Sequence, residues 1–429
     1  MTDHPTLSWT DADGASHTVR WRSESGARPP KRVQLVDDQL NADTAYRLAC
    51  EGTGLLWCGD FHNAKLLLQA LTRRVERKPH KPKAAAQAAT PTLARASAAP
   101  ASGPFVRKAK AVEADSAATG ADPAAAEAAA AAFHLHRKAQ AERARILGML
   151  LLPFDADHSI PLRRAPDVRE ACSEAWGPGS ADASQASVAS LRELLGLIGA
   201  HEWRRKGLPL DALGGARIHP HYGVFSPVRG EYLDLVAQAP LPAALQQGGL
   251  AFDLGTGTGV LAALLARRGV KRIVATDCDP RALACAQDNL QRLKCSKAVE
   301  LLATGPEQLW PEGRAALALC NPPWLPARPH APIEAALYDP DSRMLRAFLS
   351  GLAAHLLPGG EGWLILSDLA EHLGLRSREQ LLAWIAEAGL VVAGRQDIRP
   401  RHAKAQDAGD ALHAARAREV TSLWRLKSA

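Results

Sequence analysis

The chain has 429 residues, 47% of them hydrophobic, and a formal net charge of +7 at pH 7. This length predicts two to three domains, and the apolar share supports at least one large core, although alanine inflates it in the middle of the chain. The longest apolar stretch, residues 146–154, is about half of what a membrane span needs. The start, Met1-Thr2-Asp3-His4-Pro5, has neither the basic flank nor the apolar run of a secretory signal. The expectation is a soluble, cytoplasmic protein with no membrane partner.

Charge location changes what the charge means. Residues 73–120 hold ten Lys or Arg against three acids, which is the whole excess. The rest of the chain is close to neutral, so the basicity belongs to one segment and not to a face of a folded domain. Seven cysteines are scattered without a C-x-x-C pair; they read as reduced thiols, with neither a disulfide framework nor a metal site expected.

In chain order, residues 1–32 are polar and Gly/Ser/Arg-rich and are expected to be poorly ordered, with at most a short hairpin around Asp13-Gly14. Residues 33–75 form a small α/β accessory segment. A helix is predicted over 41–51, capped by Asn41 or Asp43, then a strand at 55–58. A second helix over 62–74 places Ala64, Leu67, Leu68 and Leu71 on one face. Asp60, His62 and Asn63 cluster at its start and read as a capped helix terminus. Residues 76–131 are Lys/Pro-rich and then Ala/Pro/Gly/Ser-rich, too poor in apolar bulk to offset ordering entropy, and are expected to be a disordered linker. Its alanine tract, 124–132, is predicted to lead into a helix running to residue 150, and 132–210 reads as a helical accessory domain. Within that domain, 187–199 is an amphipathic helix by its leucines at 191, 194, 195 and 197.

The chemistry-bearing residues lie further on. Residues 249–259 read as a strand, a glycine turn and the start of an apolar helix. The glycines let backbone approach a ligand closely, and the helix N-terminus offers free N–H groups. A dinucleotide fingerprint requires G-x-G-x-x-G; here glycines stand at 255, 257 and 259, with Thr256 between the first two and Val260 in the place of the third. Asp253, two residues before the turn, suits the ammonium of a methionine moiety and would repel a pyrophosphate. The pattern therefore favours S-adenosylmethionine (SAM) over NAD. A second strand, 272–276, ends in Asp277, positioned to accept both ribose hydroxyls of an adenosyl group.

A third strand-end motif follows: residues 316–320 are a short buried-type strand leading into Asn321-Pro322-Pro323-Trp324. With this motif after the glycine turn, residues 217–427 resemble class I SAM-dependent methyltransferases of the Asn-Pro-Pro-aromatic (methyltransferase small domain) group. That group includes rRNA guanine-N2, adenine-N6 and release-factor glutamine methyltransferases. The resemblance implies an α/β, Rossmann-like seven-stranded domain, preceded here by a small accessory region and the linker, and an enzyme that uses SAM.

The chemistry is consistent with the motif. An amide or aromatic amine is a poor nucleophile because its lone pair is delocalised. The Asn321 side-chain oxygen and the Pro322 carbonyl can accept from its N–H groups, the prolines stiffen the loop, and Trp324 can stack on a planar target. The plainer alternative is a proline turn with a buried Trp. Residues 219–227 resemble the segment that lies over the cofactor in this group, which places Phe225 with the cofactor; His219 and His221 read as structural. After the strand at 299–302, where the group places an acid near the adenine, this chain has Ala303-Thr304-Gly305, leaving Thr304 as a weaker partner. Residues 399–418 are long and mixed in charge and are expected to act as a target-specificity arm.

The expected acceptor is an exocyclic or amide NH2 of RNA, ribosomal RNA above all, or of DNA, with the basic linker as a phosphate-seeking tether. Two alternatives remain open: a protein glutamine N5-methyltransferase, which the neutral catalytic domain favours, and a catalytically silent RNA-binding module. No metal is expected.

Overall fold

The computed structural model describes residues 4–11, 13–76, 123–228, 230–305, 307–329, 332–401 and 410–429. Two sheets organise it. The first has six strands: β1 (Thr6–Thr10), β2 (Ser16–Trp21), β3 (Arg32–Val36), β4 (Thr53–Trp57), β5 (Leu150–Phe154) and β6 (Ser187–Ser190), in spatial order β1-β2-β6-β5-β4-β3. Strands β3, β4 and β5 run parallel, and β5 pairs antiparallel with β6. Helices α1 (Ala42–Cys50), α2 (Phe61–Glu76), α3 (Pro123–Leu147), α4 (Arg169–Trp176) and α5 (Leu191–Lys206) accompany this sheet. Its main core joins Leu55, Trp57, Leu68, Leu71, Leu150, Leu152 and Leu194.

Several expectations about the first half are corrected. The described part of 1–32 is not a loose start: β1 and β2 form a hairpin with Leu7 opposite Val19, and Leu7 and Trp21 are buried against Leu56 and Leu151. The 33–75 segment and the 132–210 region are not separate units, since β3–β4 and β5–β6 belong to one sheet. Nor is 132–210 purely helical. Gly148 lies beyond the end of α3, and 150–154 is a strand whose Leu150 pairs with Leu55. Four or five consecutive apolar residues fit a buried strand or a helix turn equally well, and only the partner strand decides. Likewise 187–190 is fully buried strand, and α5 begins only at Leu191, with Ser190 capping it by accepting from Glu193 N–H. Most of the predicted linker, 77–122, lies outside the described residues, whereas 123–131 is part of α3.

The second sheet has seven strands: β7 (Ala251–Leu254), β8 (Ile273–Asp277), β9 (Val299–Ala303), β10 (Ala315–Cys320), β11 (Leu356–Ser367), β12 (Leu390–Ile398) and β13 (Thr421–Ser428). Their order is β9-β8-β7-β10-β11-β13-β12. The first five are parallel, and β13 inserts antiparallel between β11 and β12. Helices α6 (Glu231–Gln238), α7 (Val260–Arg267), α8 (Pro280–Arg292), α9 (Arg343–His355) and α10 (Arg378–Glu387) accompany this sheet. Two cores flank it, one including Leu261, Leu264, Ile273 and Trp363, the other Phe252, Phe348, Leu352 and Leu381. The strands β7 and β10 are buried on both faces, which is why β10 reads as an uninterrupted apolar run and β7 as one broken only by Asp253. Strand order reverses between β7 and β10, and ligands of open α/β sheets bind beyond the carboxyl ends of strands at such a point.

Candidate active site

Both halves of the candidate site lie at that reversal. The glycine turn follows β7, and Asn321 follows β10. In the register of these neighbouring strands Cys320 stands beside Leu254, so the chain leaves both strands at the same level, Asn321 next to Gly255.

The turn itself needs its glycines. Gly255 has φ +74°, and a Cβ there would stand 2.6 Å from Met344 Cε; Gly259 has φ +76° with Ala286 Cα 3.1 Å from a Cβ position. A side chain is strained at both positions, and at Gly259 it also meets the backbone of α8. The N–H groups of Gly255 and Thr256 both donate to Thr276 O, at 2.9 and 2.8 Å, which ties the turn to β8.

Asp253 is fully buried beneath the turn. Its Oδ2 accepts from Thr256 Oγ1 at 2.7 Å and from Ala262 N–H at 3.0 Å, while Oδ1 has no partner. Burial, with Asp277 as a further negative neighbour, pushes its carboxyl up to about 6. The expected partner of an ammonium thus also braces the turn and the first turn of α7. Asp277 is half-buried at the end of β8. Its Oδ2 accepts from Gly257 N–H at 2.9 Å and its Oδ1 from Asp279 N–H at 3.0 Å. Burial raises its pKa against the pull of those two donors. Each carboxylate oxygen has a second lone pair, so these bonds leave room for ribose hydroxyls. Thr304 N–H donates to Asp277 O at 3.0 Å, which sets Thr304 beside the same strand end.

The segment before the domain is anchored by a residue that sequence reasoning missed. Buried Asn289 of α8 accepts from His219 N–H through Oδ1 at 2.8 Å, and its Nδ2 donates to the carbonyls of His219 and Thr258 at 3.3 and 3.1 Å. His219 Nδ1 bonds to the Arg204 carbonyl at 2.7 Å and His221 Nε2 to Asp288 at 2.9 Å, structural contacts in both cases. Phe225, six residues past His219, is 36% exposed.

In the acceptor loop, Pro322 is buried and Pro323 half-buried. Trp324 is half-buried against both cores, and its indole N–H donates to Asn321 Oδ1 at 2.9 Å. The plainer alternative, a proline turn around a packed Trp, is therefore part of the arrangement. The loop continues to Leu325, which pairs with Tyr338, and then to Asp339, whose carboxylate accepts from Met344 and Leu345 N–H. Asp341 and Ser342 are consecutive left-handed residues, φ +57° and +54°, just before α9. Such strain is held only by surrounding contacts and concentrates at functional sites.

Helix α3 fastens this loop from outside the domain. Phe133 packs with Ala327, Leu369, Leu373 and Leu412. The Arg137 guanidinium stacks over Tyr338 at 4.2 Å, donates to Arg328 O at 2.7 Å and pairs with Glu334 at 3.4 Å. No sequence pattern links Arg137 to a loop almost two hundred residues away.

The residues present fit SAM on two observations: open space at the Cβ position of Gly257, whose N–H is held by Asp277, and a buried Asp253 oxygen with no partner. Among the described residues no group of His, Cys, Asp and Glu is arranged to hold a metal ion, and no helix is long and apolar enough to cross a membrane.

A mixed seven-stranded sheet of this order, a glycine turn on its first strand and an acid on its second are the arrangement of a class I, Rossmann-like SAM-dependent methyltransferase domain. Residues 215–378 match the methyltransferase small domain, whose cofactor is SAM. The chain is 38% identical over 120 residues to a release factor glutamine methyltransferase of Cereibacter sphaeroides, covering 25% of this chain and 43% of that one. It is 29% identical over 180 residues to a tRNA1(Val) (adenine(37)-N6)-methyltransferase of Shewanella loihica, 40% of this chain and 70% of that one. A solved methyltransferase from Pyrococcus furiosus aligns at 19% identity over 54% of this chain and 98% of its own, with a TM-score of 0.35. The chain thus spans less than half the length of the Cereibacter relative.

Proposed function

We propose that this domain methylates an exocyclic or amide NH2 nitrogen, with RNA, ribosomal RNA first, or DNA as the acceptor. The observation that carries the reading is the strand register: Cys320 beside Leu254 brings Asn321 and the glycine turn to one point. SAM supplies an electrophilic methyl group on a sulfonium. Gly255, Thr256, Gly257 and Gly259 shape the backbone cradle for it. Asp253 Oδ1 offers negative charge to the ammonium end, Asp277 accepts from the ribose, and Thr304 and Phe225 flank the adenosyl moiety. Asn321 Oδ1 and the Pro322 carbonyl accept from the target amine, which holds its nitrogen lone pair toward the methyl group. Trp324 keeps the Asn321 amide turned while its exposed part meets the planar target. Positive charge grows on the nitrogen during transfer, so acceptors fixed before reaction stabilise the transition state most.

A protein glutamine acceptor is the second reading, favoured by the identity to the release-factor enzyme and by the neutrality of the chain outside residues 73–120. The deciding experiment is transfer of tritium from labelled SAM into total RNA, DNA and protein of a deletion strain. Label in protein alone would overturn the nucleic-acid acceptor. Failure of a calorimetric SAM titration would leave only the silent RNA-binding module.

A further inference from the structure

A cavity of about 290 Å³ lies in the accessory region, between the end of β2, the chain that follows it and the end of α4; its lining includes His4, Arg20, Arg22, Glu24, Arg28 and Trp176. The chemistry of this lining is one-sided. Arg22 lies over the Trp176 ring, 4.9 Å from its centroid, and its Nε donates to Ser187 Oγ at 3.1 Å. Arg20 has His4 as its side-chain partner, at 3.3 Å. Among the described residues, none of Arg20, Arg22 and Arg28 forms a salt bridge with a carboxylate. The one acid of the lining, Glu24, directs its carboxylate to Arg281 of α8 at 3.4 Å.

Two half-buried guanidinium groups close together are unfavourable, and Glu24, the one acid of the lining that offsets them, is turned to Arg281. Burial and the charge of Arg20 hold Arg22 down to about 10. Donors are concentrated here and acceptors are few, the composition that an oxyanion satisfies: Arg offers a planar fork for phosphate oxygens. Position adds to this. Glu24 is both a wall of the cavity and the contact to Arg281, four residues beyond Asp277, so the cavity borders the cofactor edge of the catalytic domain.

We propose that this cavity is a backbone-phosphate site for the polynucleotide acceptor, with Arg20, Arg22 and Arg28 as its donors. The proposal rests on the reading of a nucleic-acid acceptor and adds a second point of attachment, on the accessory region. It accounts for why that region is built against the catalytic domain: a phosphate held there sets which nucleotide reaches Asn321.

The test uses the full chain and a fluorescent single-stranded oligoribonucleotide, titrated by anisotropy over a salt series without SAM. Replacing Arg20 and Arg28 together by Gln, and separately Arg22→Gln, is expected to weaken binding by about tenfold or more. The slope of log affinity against log salt should become shallower by about 0.7 for each phosphate that is no longer neutralised. Arg22→Lys should keep most of the slope, because it keeps the charge. SAM affinity and melting temperature report folding, and the Arg20/Arg28 pair remains informative if Arg22→Gln fails to fold. Folded variants with unchanged affinity and slope would overturn the proposal. So would binding of inorganic phosphate or adenosine monophosphate at these arginines with no binding of the oligonucleotide. Tritium entering protein alone, while arginine-dependent oligonucleotide binding persists, would sink the acceptor assignment and leave the phosphate site standing.

Discussion

The Trp324 indole N–H donates to the Asn321 side-chain oxygen at 2.9 Å. The oxygen assigned to the acceptor amine is therefore already oriented from within its own loop. One lone pair is committed to the ring, the other is free, and the amide cannot flip without leaving the indole N–H unpaired.

This bond separates two effects that a single truncation would merge. Asn321→Ala is expected to lower turnover on the order of 100-fold or more with SAM affinity nearly intact. Trp324→Phe retains an aromatic surface but not the donor, and should reduce kcat by about tenfold with little change in acceptor KM. Trp324→Ala should raise KM as well, because stacking serves ground and transition states alike. Steady-state kinetics of the three variants check this; a fully active Asn321→Ala would reduce the loop to a structural turn.

Asp277→Ala is expected to weaken SAM binding by about tenfold or more, through loss of charge-assisted hydrogen bonds to ribose. The same carboxylate holds the N–H groups of Gly257 and Asp279, so part of the loss comes from a looser turn. Asp277→Asn retains one acceptor oxygen and should fall between. Calorimetric titration of folded protein is the measurement, and unchanged affinity in both variants would remove Asp277 from the cofactor site.

Asp253 predicts a pH dependence. Its folded pKa, about 6, lies above the ordinary carboxylate value. Its contribution to stability is then fully present below about pH 4 and lost as pH rises through 6. Without SAM, Asp253→Asn should match the wild type near the acid end and be more stable at neutral pH. The gain is at most on the order of 3 kcal/mol, less the cost of an unpartnered amide N–H. SAM binding should reverse the preference, since an ammonium favours the ionised form: wild-type SAM affinity should drop as pH falls through about 6. Melting curves and SAM titrations across this range decide. A neutral-pH stability unaffected by Asp253→Asn would contradict the burial argument.

Arg137 predicts an effect of the accessory region on catalysis. Arg137→Ala removes the donor to Arg328 O, the pairing with Glu334 and the stacking over Tyr338. Stability should fall by about 1–3 kcal/mol. Acceptor KM should rise severalfold while SAM affinity holds, because the loop that follows Trp324 loses its outer support and the glycine turn does not. Equal losses in SAM and acceptor binding would point to a general loosening of the domain.

Much of the catalytic domain was legible because its signals are local. The strand, turn and helix at 249–259 are set by backbone conformations that only glycine adopts freely, and the acid at the end of β8 follows from strand length. Asn321-Pro322-Pro323-Trp324 is a contiguous motif, and the last two strands, which the sequence predicts over about 390–398 and 419–426, lie at Leu390–Ile398 and Thr421–Ser428, within the usual scatter of element ends. The accessory region was read less well for a physical reason. Residues 150–154 and 187–190 are too short for periodicity to separate strand from helix, and the β1–β2 hairpin is polar enough to resemble a loose terminus. Their state depends on pairing with strands far along the chain, Leu150 with Leu55 and Ser187 with Arg20, and no local preference encodes that. The same holds within the site. Sequence identified Asp253, Asp277 and Asn321 by type and spacing, but only the tertiary structure committed Asp253 Oδ2 to the turn, turned Trp324 onto Asn321 and brought Arg137 to the acceptor loop. Residue type and spacing determine what a group can do; which partner it meets is decided by packing among distant segments.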